Sequence, residues 1–225
     1  MTTAHVYVGD ERSILSERDA SERVIDVIEG GGLAVVPLDV SYAFLAGDAK
    51  SLGRIFELKL RPLSRPCPIL ASWEHFENVS AGSDEEIARV KKVVDAGLPV
   101  GVVTAPRWES DVGASIPEEC KDLLLRDGNL ALFINMGGMS EALIRVADAR
   151  GVRLFGSSAN ISGKGNSFSI KDVPDSMLEA VQIVCDTGTC KYVNAERCAS
   201  SIIDMKEGVL LRQGILHKEI ESLLS

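Results

Sequence analysis

Hydrophobic and polar positions alternate along the chain in a way that predicts helices and short buried strands in turn. Between residues 19 and 29, Val24, Val27 and Ile28 fall on one helical face, and Gly30 ends the helix. The predicted helices are 19–29, 52–58, a third from a capping box at Ser83 and Glu86 to near Gly97, and a fourth from Ser140 to Arg150. The predicted strands are 33–36, 67–71, 100–103, 130–134, 152–155, 200–204 and 209–212.

This mixed order predicts an α/β or α+β fold in which helices pack on a sheet. No internal repeat or low-complexity tract interrupts the pattern. The main domain is expected to span residues 17–216, between an N-terminal extension of residues 1–16 and a C-terminal tail of residues 217–225.

The 225 residues carry a formal net charge of −9, which argues against a whole surface that attracts nucleic acid. No apolar run approaches the roughly 20 residues that span a bilayer, and residues 1–10 show no secretory pattern. Five cysteines form no CxxC pair, and Cys185, Cys190 and Cys198 lack the spacing of a common zinc site. We therefore expect a cytoplasmic protein with reduced cysteines, no membrane partner and no metal site of its own.

Two stretches carry candidate chemistry, since the sequence has no Walker A loop, no GxGxxG and no GxSxG. In residues 54–66, Lys59 and Arg61 can converge on one anionic ligand, because arginine offers a planar fork and lysine a mobile point charge. A solvated loop is the alternative, and charge alone favours it. In residues 156–163, GSSANISG follows a predicted strand, where N–H groups and hydroxyls can hold phosphate. A tight polar turn fits that spacing equally well.

Four segments in a fixed order change this balance. KLRP at 59–62, SSANISG at 157–163, SSIID at 200–204 and RQG at 212–214 resemble the successive motifs of the YrdC/Sua5/YciO family. The resemblance covers roughly residues 25–216. It implies a YrdC/RibB-like fold, a twisted mixed sheet flanked by helices around a concave and positively lined cavity.

The resemblance also implies a function. Family members include L-threonylcarbamoyladenylate synthases, which use ATP, bicarbonate and L-threonine, and a partner complex then passes the product group to tRNA adenosine. By resemblance, Lys59 and Arg61 would neutralise phosphate charge during nucleotidyl transfer, and Mg²⁺ would accompany ATP. The residues expected to bind the nucleotide are Lys59, Arg61, Ser158, Asn160, Ser200 and Arg212.

The sequence departs from the family where the amino-acid substrate is expected. The family usually reads PTDTVYGL, whereas residues 37–44 read PLDVSYAF, so that Leu38 and Val40 replace two threonines. Phe133 stands where the family tends to carry an arginine in a VRxP segment. The residues expected to line this substrate pocket are Leu38, Val40, Tyr42 and Phe133.

Three functions follow from these features, because family membership does not fix activity. The leading expectation is a threonylcarbamoyladenylate synthase with a variant pocket. The second is a paralogue that adenylates a more apolar carbamate or carboxylate. The third is a module that binds nucleotide or double-stranded RNA without catalysis. The retained motifs favour a nucleotide ligand in all three.

Overall fold

One mixed sheet organises the computed structural model, which describes residues 3–8 and 11–224. Its strands are β1 Thr3–Val8, β2 Glu11–Ser16, β3 Ala34–Pro37, β4 Tyr42–Ala46, β5 Ile69–Leu70, β6 Val100–Thr104, β7 Leu130–Ile134, β8 Leu154–Ser158, β9 Ile183–Asp186, β10 Ser201–Asp204 and β11 Val209–Arg212. Their order across the sheet is β11-β10-β6-β7-β5-β8-β4-β3-β9-β1-β2. Most neighbours are antiparallel, and the parallel pairs are β10 with β6, β3 with β9 and β5 with β7.

Helices cover this sheet. They are α1 Glu17–Glu29, α2 Ala49–Lys59, α3 Trp73–Val79, α4 Asp84–Asp95, α5 Asp111–Ala114, α6 Lys121–Leu124, α7 Gly138–Ala149, α8 Asp175–Leu178 and α9 His217–Leu224, with 3-10 turns at Glu118–Cys120 and Ile170–Asp172. No helix of the described residues is long and apolar enough to cross a membrane. The prediction of a twisted mixed sheet flanked by helices is confirmed.

The strand β4 separates two hydrophobic layers, because successive strand residues face opposite sides of a sheet. Tyr42 and Phe44 are buried in the layer that contains side chains of α2, α3 and α4. Leu45 is buried in the other layer, together with α1 and α7. On α1, the helical spacing of Val24 and Ile28 places both side chains in this second layer.

The entry to α7 differs from the sequence prediction. Ser140 was expected to begin this helix, but the helix starts at Gly138 with Gly137 at its N-cap position. Gly137 has a φ of 103°, and a Cβ at this position would lie 2.1 Å from Asp39 Oδ1. Only glycine fits there, so the chain turns into the helix before Ser140, which is buried instead. In contrast, the predicted capping box of Ser83 and Glu86 at α4 is confirmed.

Tertiary contacts add to the packed structure two segments that lie outside the expected main domain. Residues 3–8 and 11–16, within the expected extension, form β1 and β2, and β1 pairs with β9 at one end of the sheet. Residues 217–224, within the expected tail, form α9, whose Ile220 is fully buried and joins the core that includes α4. Both segments therefore contribute to the packed structure.

The Tyr42 hydroxyl links β4 to the end of β9 and to the turn that follows it. Removal of this hydroxyl tests the contact. The hydroxyl lies 2.5 Å from Asp186 Oδ1 and 2.8 Å from the Gly188 carbonyl oxygen. We expect Tyr42→Phe to lower the free energy of unfolding by about 1–3 kcal/mol in chemical denaturation, because the buried Tyr42 hydroxyl is lost together with its hydrogen bond to the Asp186 carboxylate. The control Tyr7→Phe, at a partly exposed position of β1, should change it by less than about 0.5 kcal/mol. Equally small changes in both variants would contradict this assignment.

Candidate functional site

A pocket beside β4 and β8 is lined by both polar and apolar side chains. Its polar side chains are Arg61, Ser157, Ser158, Ser200 and Arg212, together with Ser41. Its larger apolar side chains are Leu38, Val40, Leu45, Leu70, Phe133 and Met136. Gly156 forms part of the floor, where a Cβ would lie 2.4 Å from the Phe44 carbonyl oxygen, so β8 can approach β4 only with glycine at this position.

Uncharged acceptors orient the Arg61 guanidinium. After α2, Leu60 adopts a left-handed conformation with a φ of 49°, and the chain then turns into Arg61. Nε of Arg61 donates to the Arg65 carbonyl oxygen and Nη2 to the Pro66 carbonyl oxygen, each at 2.6 Å. Nη1 donates to Ser157 Oγ at 3.2 Å. These bonds fix the planar fork without neutralising its charge.

The second guanidinium belongs to Arg212, at the end of β11. Its Nε donates to the Ser200 carbonyl oxygen at 2.9 Å, and its Nη2 lies 3.5 Å from Ser200 Oγ. Solvent reaches Arg212, yet the surrounding protein atoms and then the charge of Arg61 lower the pKa of Arg212 to about 10. Burial likewise lowers the pKa of Arg61.

Neither arginine has a counter-charge within the part of the chain that the structure describes. Arg61 and Arg212 form no ion pair there, whereas Arg150 contacts three carboxylates and Arg153 contacts one. Like charges that share a pocket repel each other, and a bound anion relieves that repulsion. Guanidinium groups match phosphate geometry. The arrangement is therefore suited to a phosphate-bearing ligand.

Lys59 stabilises the neighbouring loop from beneath the pocket. Its side chain is only 1% exposed, and Nζ donates to the Ser158 carbonyl oxygen, to the Asn160 carbonyl oxygen at 2.7 Å and to Asn160 Oδ1 at 3.2 Å. Asn160 Nδ2 in turn donates to the Ile161 carbonyl oxygen at 2.9 Å. Lys59 therefore directs its hydrogen bonds at SSANISG and connects that loop to the end of α2.

The apolar residues singled out in the sequence meet on one surface of the pocket. Leu38, Val40 and Phe133 belong to the same hydrophobic cluster as Leu70 and Met136. Phe133 pairs with Gly101 of β6, where a Cβ would lie 2.6 Å from Phe133 Cε1. The ring therefore occupies space that Gly101 leaves free.

A family model for Sua5, YciO and YrdC proteins, described as telomere recombination, matches residues 26–214. The chain belongs to this family. A Methanocaldococcus jannaschii protein, named as a candidate threonylcarbamoyl-AMP synthase, is 24% identical over 190 residues, which are 81% of this chain and 83% of that protein. The four ordered motifs that carried the family resemblance thus pointed to the correct family.

Solved structures agree with the family fold. Sua5 of P. abyssi, in complex with L-threonine, is 25% identical with a TM-score of 0.73, and the match covers 93% of this chain and 58% of that one. The chain thus spans about three fifths of the length of that Sua5. YciO of E. coli is 15% identical with a TM-score of 0.69, and the match covers 89% of this chain and 91% of YciO. At this identity YciO shows the fold alone.

The structure brings four of the predicted nucleotide-binding residues of this Sua5/YciO/YrdC protein into one pocket. These four are Arg61, Ser158, Ser200 and Arg212. Lys59 instead donates hydrogen bonds to Asn160, which is itself a residue of the SSANISG loop. Their roles toward a ligand stay predictions. Ser157 also lines the pocket, and the signal for it was the motif itself, which contains two adjacent serines.

Tyr42 does not line this pocket, in contrast to the sequence expectation. Alternation along β4 directs Ala43 and Leu45 toward the pocket and Tyr42 to the opposite face of the sheet. There, burial and then the hydrogen bond to Asp186 raise the pKa of Tyr42. The same alternation explains why Ser41, which the sequence analysis did not single out, lines the pocket.

The pocket offers no protein ligands for magnesium. Among the residues that the structure describes, no carboxylate lines it, and no group of three or more histidine, cysteine or acidic side chains could hold a metal ion. Asp39 lines a neighbouring cavity, where it lies 3.6 Å from Lys191 Nζ. The residues present do not fit a magnesium ion held by the protein, because that ion prefers carboxylate oxygens.

Loss of either pocket arginine should weaken nucleotide binding. We expect Arg61→Ala and Arg212→Ala each to raise the Kd for ATP by about 10- to 100-fold, since a hydrogen bond to a charged group contributes about 1.5–3 kcal/mol. Isothermal titration calorimetry measures the change. Arg126→Ala is the matched control, because the Arg126 side chain is 69% exposed and outside the pocket. Unchanged affinity in both pocket variants would place the nucleotide elsewhere.

The pH dependence of stability tests the environment of Lys59. Burial and then the charge of Arg61 lower the pKa of Lys59 to about 7. In the unfolded chain this lysine titrates near its ordinary pKa, so the unfolded state binds more protons between the two values. The contribution of Lys59 to stability therefore rises with pH from about 7 to about 10.4.

We expect Lys59→Met to remove this rise from the free energy of unfolding, measured by chemical denaturation across that pH range. The exposed residue Lys50 lies on the same helix, and Lys50→Met should keep the wild-type profile. Identical profiles for wild type and Lys59→Met would show that the Ser158 and Asn160 oxygens keep the Lys59 ammonium charged in the folded protein.

Proposed function

We propose that this chain is a Sua5-type nucleotidyltransferase, which joins the AMP part of ATP to an N-carboxylated amino acid. The observation that carries the proposal is the pair of guanidinium groups, Arg61 and Arg212, which share one pocket without a counter-charge. Ser158 and Ser200 add hydroxyl groups beside them. The name of the M. jannaschii relative and the threonine complex of P. abyssi Sua5 support the same chemistry.

The proposed reaction has two balanced steps. The amine of the amino acid combines with bicarbonate to give a carbamate and water. A carbamate oxygen then attacks the α-phosphorus of ATP, while the bond from that phosphorus to the bridging oxygen breaks and pyrophosphate leaves with the electron pair. The product is a carbamoyl-adenylate. The attacking oxygen is already anionic, so the second step needs no general base.

The pocket residues would act by position and electrostatics. Arg61 and Arg212 would stabilise the charge that develops on the leaving pyrophosphate, and their backbone acceptors already hold them in place. Such preorganised groups need no rearrangement during the reaction. Mg²⁺ would arrive with ATP and neutralise part of the triphosphate charge, and no residue of this chain is assigned to it.

The product of this reaction is a mixed anhydride that water hydrolyses readily. A partner that consumes it is therefore part of the proposal, and a complex that modifies tRNA adenosine fits this role. A module that binds double-stranded RNA without catalysis has less support, because the net charge is −9 and the two unpaired arginines lie in a concave pocket rather than on an extended basic surface.

Product analysis tests the activity directly. The purified chain would be incubated with ATP, Mg²⁺, bicarbonate and each standard amino acid, and the products separated by liquid chromatography and identified by mass spectrometry. We expect a carbamoyl-adenylate and an equal amount of pyrophosphate, both dependent on bicarbonate and on at least one amino acid. Arg61→Ala should lose most of this product, whereas Arg126→Ala should retain it. ATP binding without product from any amino acid would contradict the proposal.

A further inference from the structure

We propose that the amino acid taken by this pocket has a branched apolar side chain of the valine class, and that threonine is the poorer substrate. This inference rests on the proposed function. It concerns the apolar surface formed by Leu38, Val40 and Phe133 with Leu70 and Met136, which lies in the same pocket as the two unpaired arginines.

The apolar surface packs against the protein core. Val40 is only 4% exposed and packs in the cluster that includes α1 and α7. The Phe133 ring packs against Gly101 of β6, where a Cβ would lie 2.6 Å from Phe133 Cε1. A close-packed surface of this kind stabilises apolar groups of matching shape and does not reorganise to solvate a hydroxyl.

Few polar groups remain beside this surface. The Leu38 N–H donates to the Ser41 carbonyl oxygen at 3.1 Å, and the Asp39 N–H donates to the Met136 carbonyl oxygen at 2.8 Å. The Asp39 carboxylate lies in the neighbouring cavity, close to Lys191. The other polar side chains of the described lining are Ser157, Ser158 and Ser200, which we assign with the two arginines to the nucleotide. The Ser41 hydroxyl is then the one side chain of that lining left to bond a substrate hydroxyl.

The charges of the pocket impose an orientation on the substrate. In the described lining, Arg61 and Arg212 are the cationic side chains, so the anionic end of the amino acid, like the phosphates it reacts with, would lie on their side of the pocket. The side chain would then point toward Leu38, Val40 and Phe133. A threonine hydroxyl would lose water there with little compensation, whereas the methyl group of valine would be buried favourably.

Valine and threonine are nearly isosteric, so a comparison between them isolates the hydroxyl. We expect kcat/KM for valine to exceed that for threonine by about 10- to 100-fold, the range that an apolar pocket reaches against an isostere with an added hydroxyl. Pyrophosphate release measures both rates, with bicarbonate and ATP held constant.

An isosteric substitution then tests the position of the side chain. Val40→Thr adds a hydroxyl to the apolar surface and should shift the valine-to-threonine ratio toward threonine by roughly 3- to 10-fold, as one hydrogen bond allows. Val193→Thr makes the same change at a residue that is 55% exposed and outside the pocket, and the ratio should stay as in wild type.

The outcomes separate this inference from the proposed function. Carbamoyl-adenylate formation with threonine preferred over valine would overturn the inference and leave the nucleotidyltransferase intact. Lack of turnover with every amino acid would overturn the proposed function. In that case, calorimetric titration of valine and threonine in the presence of a non-hydrolysable ATP analogue decides the inference. Tighter binding of valine supports it, and equal binding, tighter threonine binding or no binding of either overturns it.

Discussion

The placement of two guanidinium groups, Arg61 and Arg212, in one pocket is the constraint on which the rest of the site depends. Each guanidinium is oriented by neutral oxygens of the main chain, and no acidic side chain among the described residues lies within ion-pair distance of either. Two charges of the same sign in one pocket disfavour each other in the empty protein. The pair is stabilised when an anion binds, so the fold keeps a charge that only a ligand can balance.

Lys59 shows that one short motif, KLRP at residues 59–62, can contain residues with different tasks. The end of α2 places Lys59 under SSANISG, whereas the left-handed turn at Leu60 directs Arg61 into the pocket. Two neighbouring basic residues of one motif thus differ in position: Lys59 stabilises the loop, and Arg61 faces the pocket in which we propose that the ligand binds. The loop that Lys59 holds carries Ser157 and Ser158 of the pocket, so a structural change at Lys59 would reach the ligand through these serines.

The sequence was sufficient for the family and for much of the fold, because ordered motifs and local periodicity are written in neighbouring residues. Local periodicity could not show that Arg61 and Arg212 share a pocket, since this depends on the order of strands in the sheet, and only the family resemblance supplied that expectation. The side of the sheet that Tyr42 faces depends on the register of β4, and a one-residue difference reverses it. Residues 3–8 became part of the sheet only through pairing with β9.

A crystal structure with a non-hydrolysable ATP analogue would show directly whether the two pocket arginines bind the nucleotide. We expect phosphate oxygens within hydrogen-bond distance of both Arg61 and Arg212, while Lys59 keeps its bonds to Ser158 and Asn160. Phosphates bound away from the two arginines, or bound by Lys59 after it leaves the SSANISG loop, would rule out this role for the arginine pair.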